Sequence, residues 1–140
     1  MREYLERRAE GEAEVSAVIA RLREQDYLDD ARYAIEYARH HATQRRQGRF
    51  RITQELRARG VPDGHIDAAL GSVFSETDEG ALVRARLRRR LAGLRSALDE
   101  RKTQSLYRSL RRAGFSSEII RSELRKARAD LPDLADPEGE

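Results

Sequence analysis

The stretch LRARGVPDGHIDAAL, Leu56 to Leu70, ends one helix, turns at a glycine and starts another, and the chain writes it more than once. LRRAGFSSEIIRSEL, Leu110 to Leu124, follows 54 residues later, and LERRAEGEAEVSAVI, Leu5 to Ile19, precedes it by 51. Leu5, Leu56 and Leu110 open the copies, and Ala9, Gly60 and Gly114 take the corner. Val15, Ile66 and Ile120 come next, and Ile19, Leu70 and Leu124 close. A unit of this size buries too little apolar surface alone, so a repeat at this period means stacked modules sharing their apolar faces.

The segments between corners read as helices. Val15, Val18, Ile19 and Leu22 recur at helical spacing, and QDYLDD is expected to break that helix, with Asp29 or Asp30 capping the next. Ala31, Ala34, Ile35 and Ala38 share one side of the second helix, with Tyr27, Tyr33 and Tyr37 adding bulk. Gly48 marks a turn, Ile52 and Leu56 lead to the Gly60 corner, and Pro62 falls near a helix start. Ile66, Ala69, Leu70 and Val73 form the next stripe, and SETDEG is a polar joint. Leu87, Leu91, Leu94 and Leu98 fall on one face of a single long predicted helix. Leu106 and Leu110 lead to Gly114, and SSE caps a last helix carrying Ile119, Ile120, Leu124 and Ala127. Nothing alternates as a strand does. The pattern predicts an all-α, elongated tandem array of three-helix repeats: a partial first repeat over 1–28, a second over 29–77, a third over 78–129 and an acidic disordered tail over 130–140.

Composition agrees with thin helical layers, since 38% of residues are charged and only 39% hydrophobic. With no Cys, disulfides and thiolate chemistry are excluded and a reducing cytoplasm is the expected home. No apolar run approaches the ~20 residues of a membrane span. Charge is unevenly spread. From Arg39 to Arg59 seven Arg face one Glu, and from Arg84 to Arg112 ten Arg and Lys102 face two acids. Residues 1–30 carry nine acids against five Arg, and the last dozen residues carry five acids and no base.

No catalytic, cofactor or metal site emerges. His40 and His41 are adjacent and diverge by about 100° on a helix, and His65 stands alone at a helix start. Asp29 and Asp30, and Glu76, Asp78 and Glu79, stand where helix caps belong. The candidate binding residues are arginines: Arg45, Arg46, Arg49, Arg51, Arg57 and Arg59 in one module, and Arg84, Arg86, Arg88, Arg89, Arg90, Arg111 and Arg112 in the next. Arg stems can simply cover apolar surface, and the scarcity of Lys can reflect codon composition. Repetition of the enrichment at comparable positions, with acids locally scarce, favours a polyanion-facing surface. Arg86 and Arg89 are expected to point well away from the Leu87–Leu98 stripe, leaving folding indifferent to their loss.

YLDDARYA before a helix, RRQGRFRITQELRARGV, and LYRSLRRAGFSSEIIRSEL together resemble the RecX family of recombinase regulators. The resemblance runs from about Leu5 to Ala127, and the chain begins late relative to the family pattern. It implies a tandem three-helix protein, not an enzyme, that binds the filament of a RecA-type recombinase on single-stranded DNA and mostly inhibits its ATPase and strand exchange. Double-stranded DNA is a further candidate partner, no membrane is involved, and the chain is expected to be a monomer without cofactors. The alternative is a helix-turn-helix-like protein acting on DNA directly, although DGHIDAALGSV after the first corner holds two Asp and no Arg to read base edges.

Overall fold

Small side chains decide how the first full unit closes. Ala34, Ala38 and Ala42 recur every fourth residue and are wholly buried, so two helix backbones can approach closely there. They belong to α1 (Arg2–Thr43), which packs chiefly on α3 (Asp63–Glu76), with α2 (Arg49–Ala58) closing the unit. Ile52, Leu56, Ile66, Ala69, Leu70 and Val73 complete this core. The second unit is α4 (Glu79–Ala92), α5 (Glu100–Arg112) and α6 (Ser117–Asp130), around Leu82, Val83, Leu87, Leu106, Leu110, Phe115, Ile120 and Leu124. The structure, a computed structural model, describes residues 2–94 and 98–130, with side chains from residue 5 onward. Within them there are six α-helices and no strand, as the periodicity predicts.

Helix termini follow local chemistry. Asp78 accepts from the Gly80 and Ala81 amides at the start of α4, and Asp99 accepts from the Lys102 amide at the start of α5. Pro62 precedes α3, and Ser116 Oγ accepts from the Ile119 amide at 3.3 Å. Both predicted glycine corners are present, Gly60 at φ 81° and Gly114 at φ 101°, a region that side chains with a Cβ rarely adopt.

Three expectations fail. The first helix does not stop at QDYLDD: α1 continues through Asp29 and Asp30 to Thr43. Asp caps a helix only where the backbone leaves it, and no Gly or Pro in that stretch forces it to leave. The expected corner at Ala9 likewise lies inside α1, because alanine is the best helix former and provides no left-handed exit. The equivalent columns consequently bury differently. Leu5, Val15 and Ile19 are 56, 59 and 44% exposed, whereas Leu56, Ile66 and Leu70 are 0, 0 and 6% exposed. Residues 2–26 form a projecting helical arm. Third, α4 ends at Ala92, short of the long helix predicted through Leu98: Gly93 bonds back to the Arg90 carbonyl, while Leu98 is buried just ahead of the Asp99 cap. α6 ends at Asp130, and the rest of the tail expected over 130–140 lies outside the described residues.

The two units meet through backbone. The Gly48 amide donates to the Ala113 carbonyl at 2.8 Å, and the Phe50 amide to the Gly114 carbonyl at 3.1 Å. A Cβ on Gly48 would lie 2.4 Å from the Gly114 oxygen, and one on Gly114 would lie 2.5 Å from the Arg51 amide nitrogen. Only glycine fits on either side of this contact. Arg49 adds an ion pair to Glu79 at 2.7 Å and places its guanidinium over the Phe74 ring.

Candidate nucleic-acid interface

The turn at residues 44–48 carries the first part of the site. Arg46 adopts φ 50°, a left-handed conformation that costs about 1–2 kcal/mol for an L-residue and needs support. Arg86 of α4 supplies it, donating from Nε to the Arg46 carbonyl at 2.6 Å and from Nη2 to the Arg45 carbonyl at 2.8 Å. Burial, and then the charges of Arg46 and Arg51, lower the Arg86 pKa. The expectation that Arg86 is an expendable surface residue is therefore corrected. Its guanidinium is part of the junction, and its partners are main-chain atoms that sequence spacing cannot announce.

Around that strut opens the junction cleft, a cavity of about 500 Å³. Arg45 and Arg46 face it from the turn, Arg86, Arg89 and Arg90 from α4, and Ser109 from α5. No carboxylate is among the described residues lining it. Beyond the Gly48–Gly114 contact lies the corner cleft, about 570 Å³, lined by Phe50, Thr53, Gln54 and four arginines, Arg51, Arg57, Arg111 and Arg112.

The thirteen candidate arginines divide by partner. Arg49 pairs with Glu79, Arg51 with Glu55, Arg57 with Asp63, and Arg84 with Glu123 and Asp78. The Arg84 pair is structural, because Glu123 is only 3% exposed and receives Arg84 Nη1 on both oxygens and Lys126 at 3.5 Å. Arg59 lies over Tyr37 and donates to the Glu55 carbonyl, and Arg111 lies over Phe50 and donates to the Phe115 carbonyl. The side chains of Arg45, Arg46, Arg88, Arg89, Arg90 and Arg112 make no hydrogen bond or ion pair among the described residues. Their positive charge is available to an outside anion.

A polar cluster braces the first corner against α1. The Tyr37 hydroxyl donates to Glu55 Oε2, the Tyr37 ring stacks on His41, and His41 Nδ1 lies 2.8 Å from Gln47 Oε1. Burial by itself would raise the Glu55 carboxyl. The Tyr37 hydroxyl, the Arg51 guanidinium and the His41 ring outweigh it and hold the pKa below the ordinary value. Burial, and then the Glu55 bond and charge, push the Tyr37 phenol up to about 12. His65 is buried against Tyr27, with ring centroids 4.3 Å apart.

A family model described as RecX, second three-helix domain, matches residues 29–70, the stretch over which α1, α2 and α3 pack together. The chain is 37% identical over 135 residues to a protein named regulatory protein RecX from Halorhodospira halophila, covering 96% of this chain and 80% of that one. A protein of the same name from Trichlorobacter lovleyi is 35% identical over 130 residues, covering 90% of this chain and 82% of that one. The chain belongs to the RecX family. A further RecX protein, from Thermobifida fusca, is 31% identical across 96% of this chain and 74% of its own. No solved structure gives a significant match. As in the sequence reading, no helix among the described residues is long and apolar enough to cross a membrane.

Two features of this RecX-family chain escaped the sequence reading. Phe50 is 60% exposed within the corner cleft, signalled only by an aromatic residue set between Arg49 and Arg51. Arg121, Arg125 and Arg128 of α6 line a groove with Tyr107, and their spacing of four and three residues along the last helix was the available signal.

Proposed function

We propose that this chain is a non-enzymatic regulator that binds the nucleoprotein filament of a RecA-type recombinase and restrains its ATPase and strand exchange. Family membership supports the regulatory role. The observation that carries the binding mode is the grouping of partnerless arginines: four of them, Arg45, Arg46, Arg89 and Arg90, line one cleft where the two units meet, with no carboxylate among its described lining residues. Guanidinium groups so placed neutralise phosphates and release counterions. Binding across the junction bridges two rigid units, so one molecule spans several phosphates and restrains the subunits that hold them. Double-stranded DNA offers the same phosphate chemistry. The cytoplasm and a monomeric state fit this reading.

The test is recombinase ATPase on single-stranded DNA, with the wild-type chain and with Arg45, Arg46, Arg89 and Arg90 replaced by Ala. Inhibition by the wild type and its loss in the variant are expected, with helicity retained. Unchanged ATPase in the presence of the wild type would sink the proposal.

A second reading takes α6 as a helix presented to DNA directly, and Arg121, Arg125 and Arg128 on its exposed side favour it. α3 is a poor counterpart, since Asp63 and Asp67 are exposed on it. Sequence-dependent binding to duplex DNA without recombinase distinguishes this reading from the first.

A further inference from the structure

We propose that the corner cleft seats an unpaired nucleobase on the ring of Phe50, so that this chain reads single-stranded nucleic acid by stacking as well as by charge. The inference rests on the reading that the arginine clefts meet nucleic acid, and adds a distinct contact with its own readout. A single exposed apolar side chain is unremarkable by itself. Phe50 differs in how it is held and in what surrounds it. Its amide is bonded to the Gly114 carbonyl at 3.1 Å, and the adjacent Gly48 amide to Ala113 at 2.8 Å, so the ring is carried on backbone fixed by the unit junction. The Arg111 guanidinium lies 5.9 Å from the ring centroid, and Arg51, Arg57 and Arg112 also line the cleft. Thr53 and Gln54 bring hydrogen-bonding groups that suit the edge of a base.

An aromatic platform among guanidinium groups is the arrangement by which single strands are bound without sequence preference, because every base has a π face and each base is followed by a phosphate. Bases in a duplex are already stacked and cannot use it. A protein partner fits less well. An apolar hot spot is normally a cluster, and among the described residues the other large exposed apolar side chains all lie on α1, between Leu5 and Tyr33.

The chain contains no Trp, so Phe50→Trp introduces a single indole reporter, excited apart from the five Tyr, at the proposed seat. Binding is measured to an oligothymidylate, to an abasic deoxyribose-phosphate oligomer of the same length and charge, and to a duplex of that length. Wild type should prefer oligothymidylate to the abasic strand by about tenfold. Phe50→Ala should erase that preference while leaving abasic binding and helicity unchanged. Phe50→Trp should restore it, with indole fluorescence quenched by oligothymidylate and not by the abasic strand. The proposal is overturned by a preference that survives Phe50→Ala, by an unquenched indole at saturation, or by a duplex bound as tightly as oligothymidylate. Equal wild-type affinity for the thymidylate and abasic strands removes the stacking contact and leaves the phosphate reading intact. Absence of binding to any oligomer, with filament ATPase still inhibited, also overturns the nucleobase proposal and moves the arginine clefts to a protein contact.

Discussion

The corners after α2 and α5 are built alike and used differently. At both, the glycine amide returns to the carbonyl three residues back, Gly60 to Arg57 at 2.9 Å and Gly114 to Arg111 at 3.0 Å. At both, the next residue turns into the core, its amide bonded five residues back, Val61 to Leu56 at 3.1 Å and Phe115 to Leu110 at 3.3 Å. Nothing lies within 4 Å of a Cβ built on Gly60, whereas Gly114 is pressed against Gly48 and Arg51 of the other unit. Charge differs in parallel. At the first corner Arg57 is neutralised by Asp63 and Arg59 rests on Tyr37, while at the second Arg112 has no side-chain partner among the described residues. One local device thus serves as a plain turn in one unit and as a junction with open charge in the next.

Substitution separates the two uses. Gly114→Ala should have the largest effect, since left-handed strain of about 1–2 kcal/mol adds to overpacking of about 1–3 kcal/mol against immovable backbone. Gly48→Ala meets the same contact at an ordinary φ of −92° and should cost only the overpacking. Because both open one junction, the double variant should lose less than the sum of the two in chemical denaturation. Arg86→Ala should follow, at about 2 kcal/mol for charge-assisted bonds to two carbonyls. Arg86→Lys should fail to rescue it, because an ammonium lacks the planar fork that reaches both carbonyls. Gly60→Ala should cost about 1–2 kcal/mol, from strain alone, with the junction undisturbed. A Gly60 variant as damaging as the Gly114 variant would erase the distinction between the corners.

The smallest effect concerns the brace behind the first corner. Folding holds the Tyr37 phenol neutral up to about pH 12, against 10.0 as its ordinary value. A folded pKa above the unfolded one contributes stability that is fully present below pH 10 and is lost as pH rises toward 12. Alkaline unfolding should therefore steepen across that window, and Tyr37→Phe should flatten it. The phenol is largely solvent-screened, so the change should be small.

Legibility in the sequence tracked how local each cause was. The Leu56–Gly60–Ile66–Leu70 and Leu110–Gly114–Ile120–Leu124 columns were readable because helical spacing plus a glycine is a complete local instruction. The Leu5–Ala9–Val15–Ile19 column matched in residue type but lacked the glycine, and its helix never turns. The arginine enrichment was equally visible, but its division into structural and available charge was not. That division depends on contacts such as Arg84 with Glu123 and Arg49 with Glu79, which lie 39 and 30 residues apart. Arg86 was the hardest case, since it holds carbonyl oxygens that every residue possesses.

The claim that partnerless arginines bind while partnered ones support the fold is tested most directly by salt dependence. Filament affinity is titrated against salt for the wild type, for Arg45, Arg46, Arg89 and Arg90 replaced by Ala, and for Arg49 and Arg84, which pair with Glu79 and Glu123 and line neither arginine cleft, replaced by Ala. Each lost phosphate contact on a single strand removes about 0.7 from the slope of log affinity against log salt, so the first variant should lose roughly 3 with little change in Tm. The second should keep the wild-type slope and melt at a lower temperature. A slope that falls in the second variant and not in the first would contradict the account.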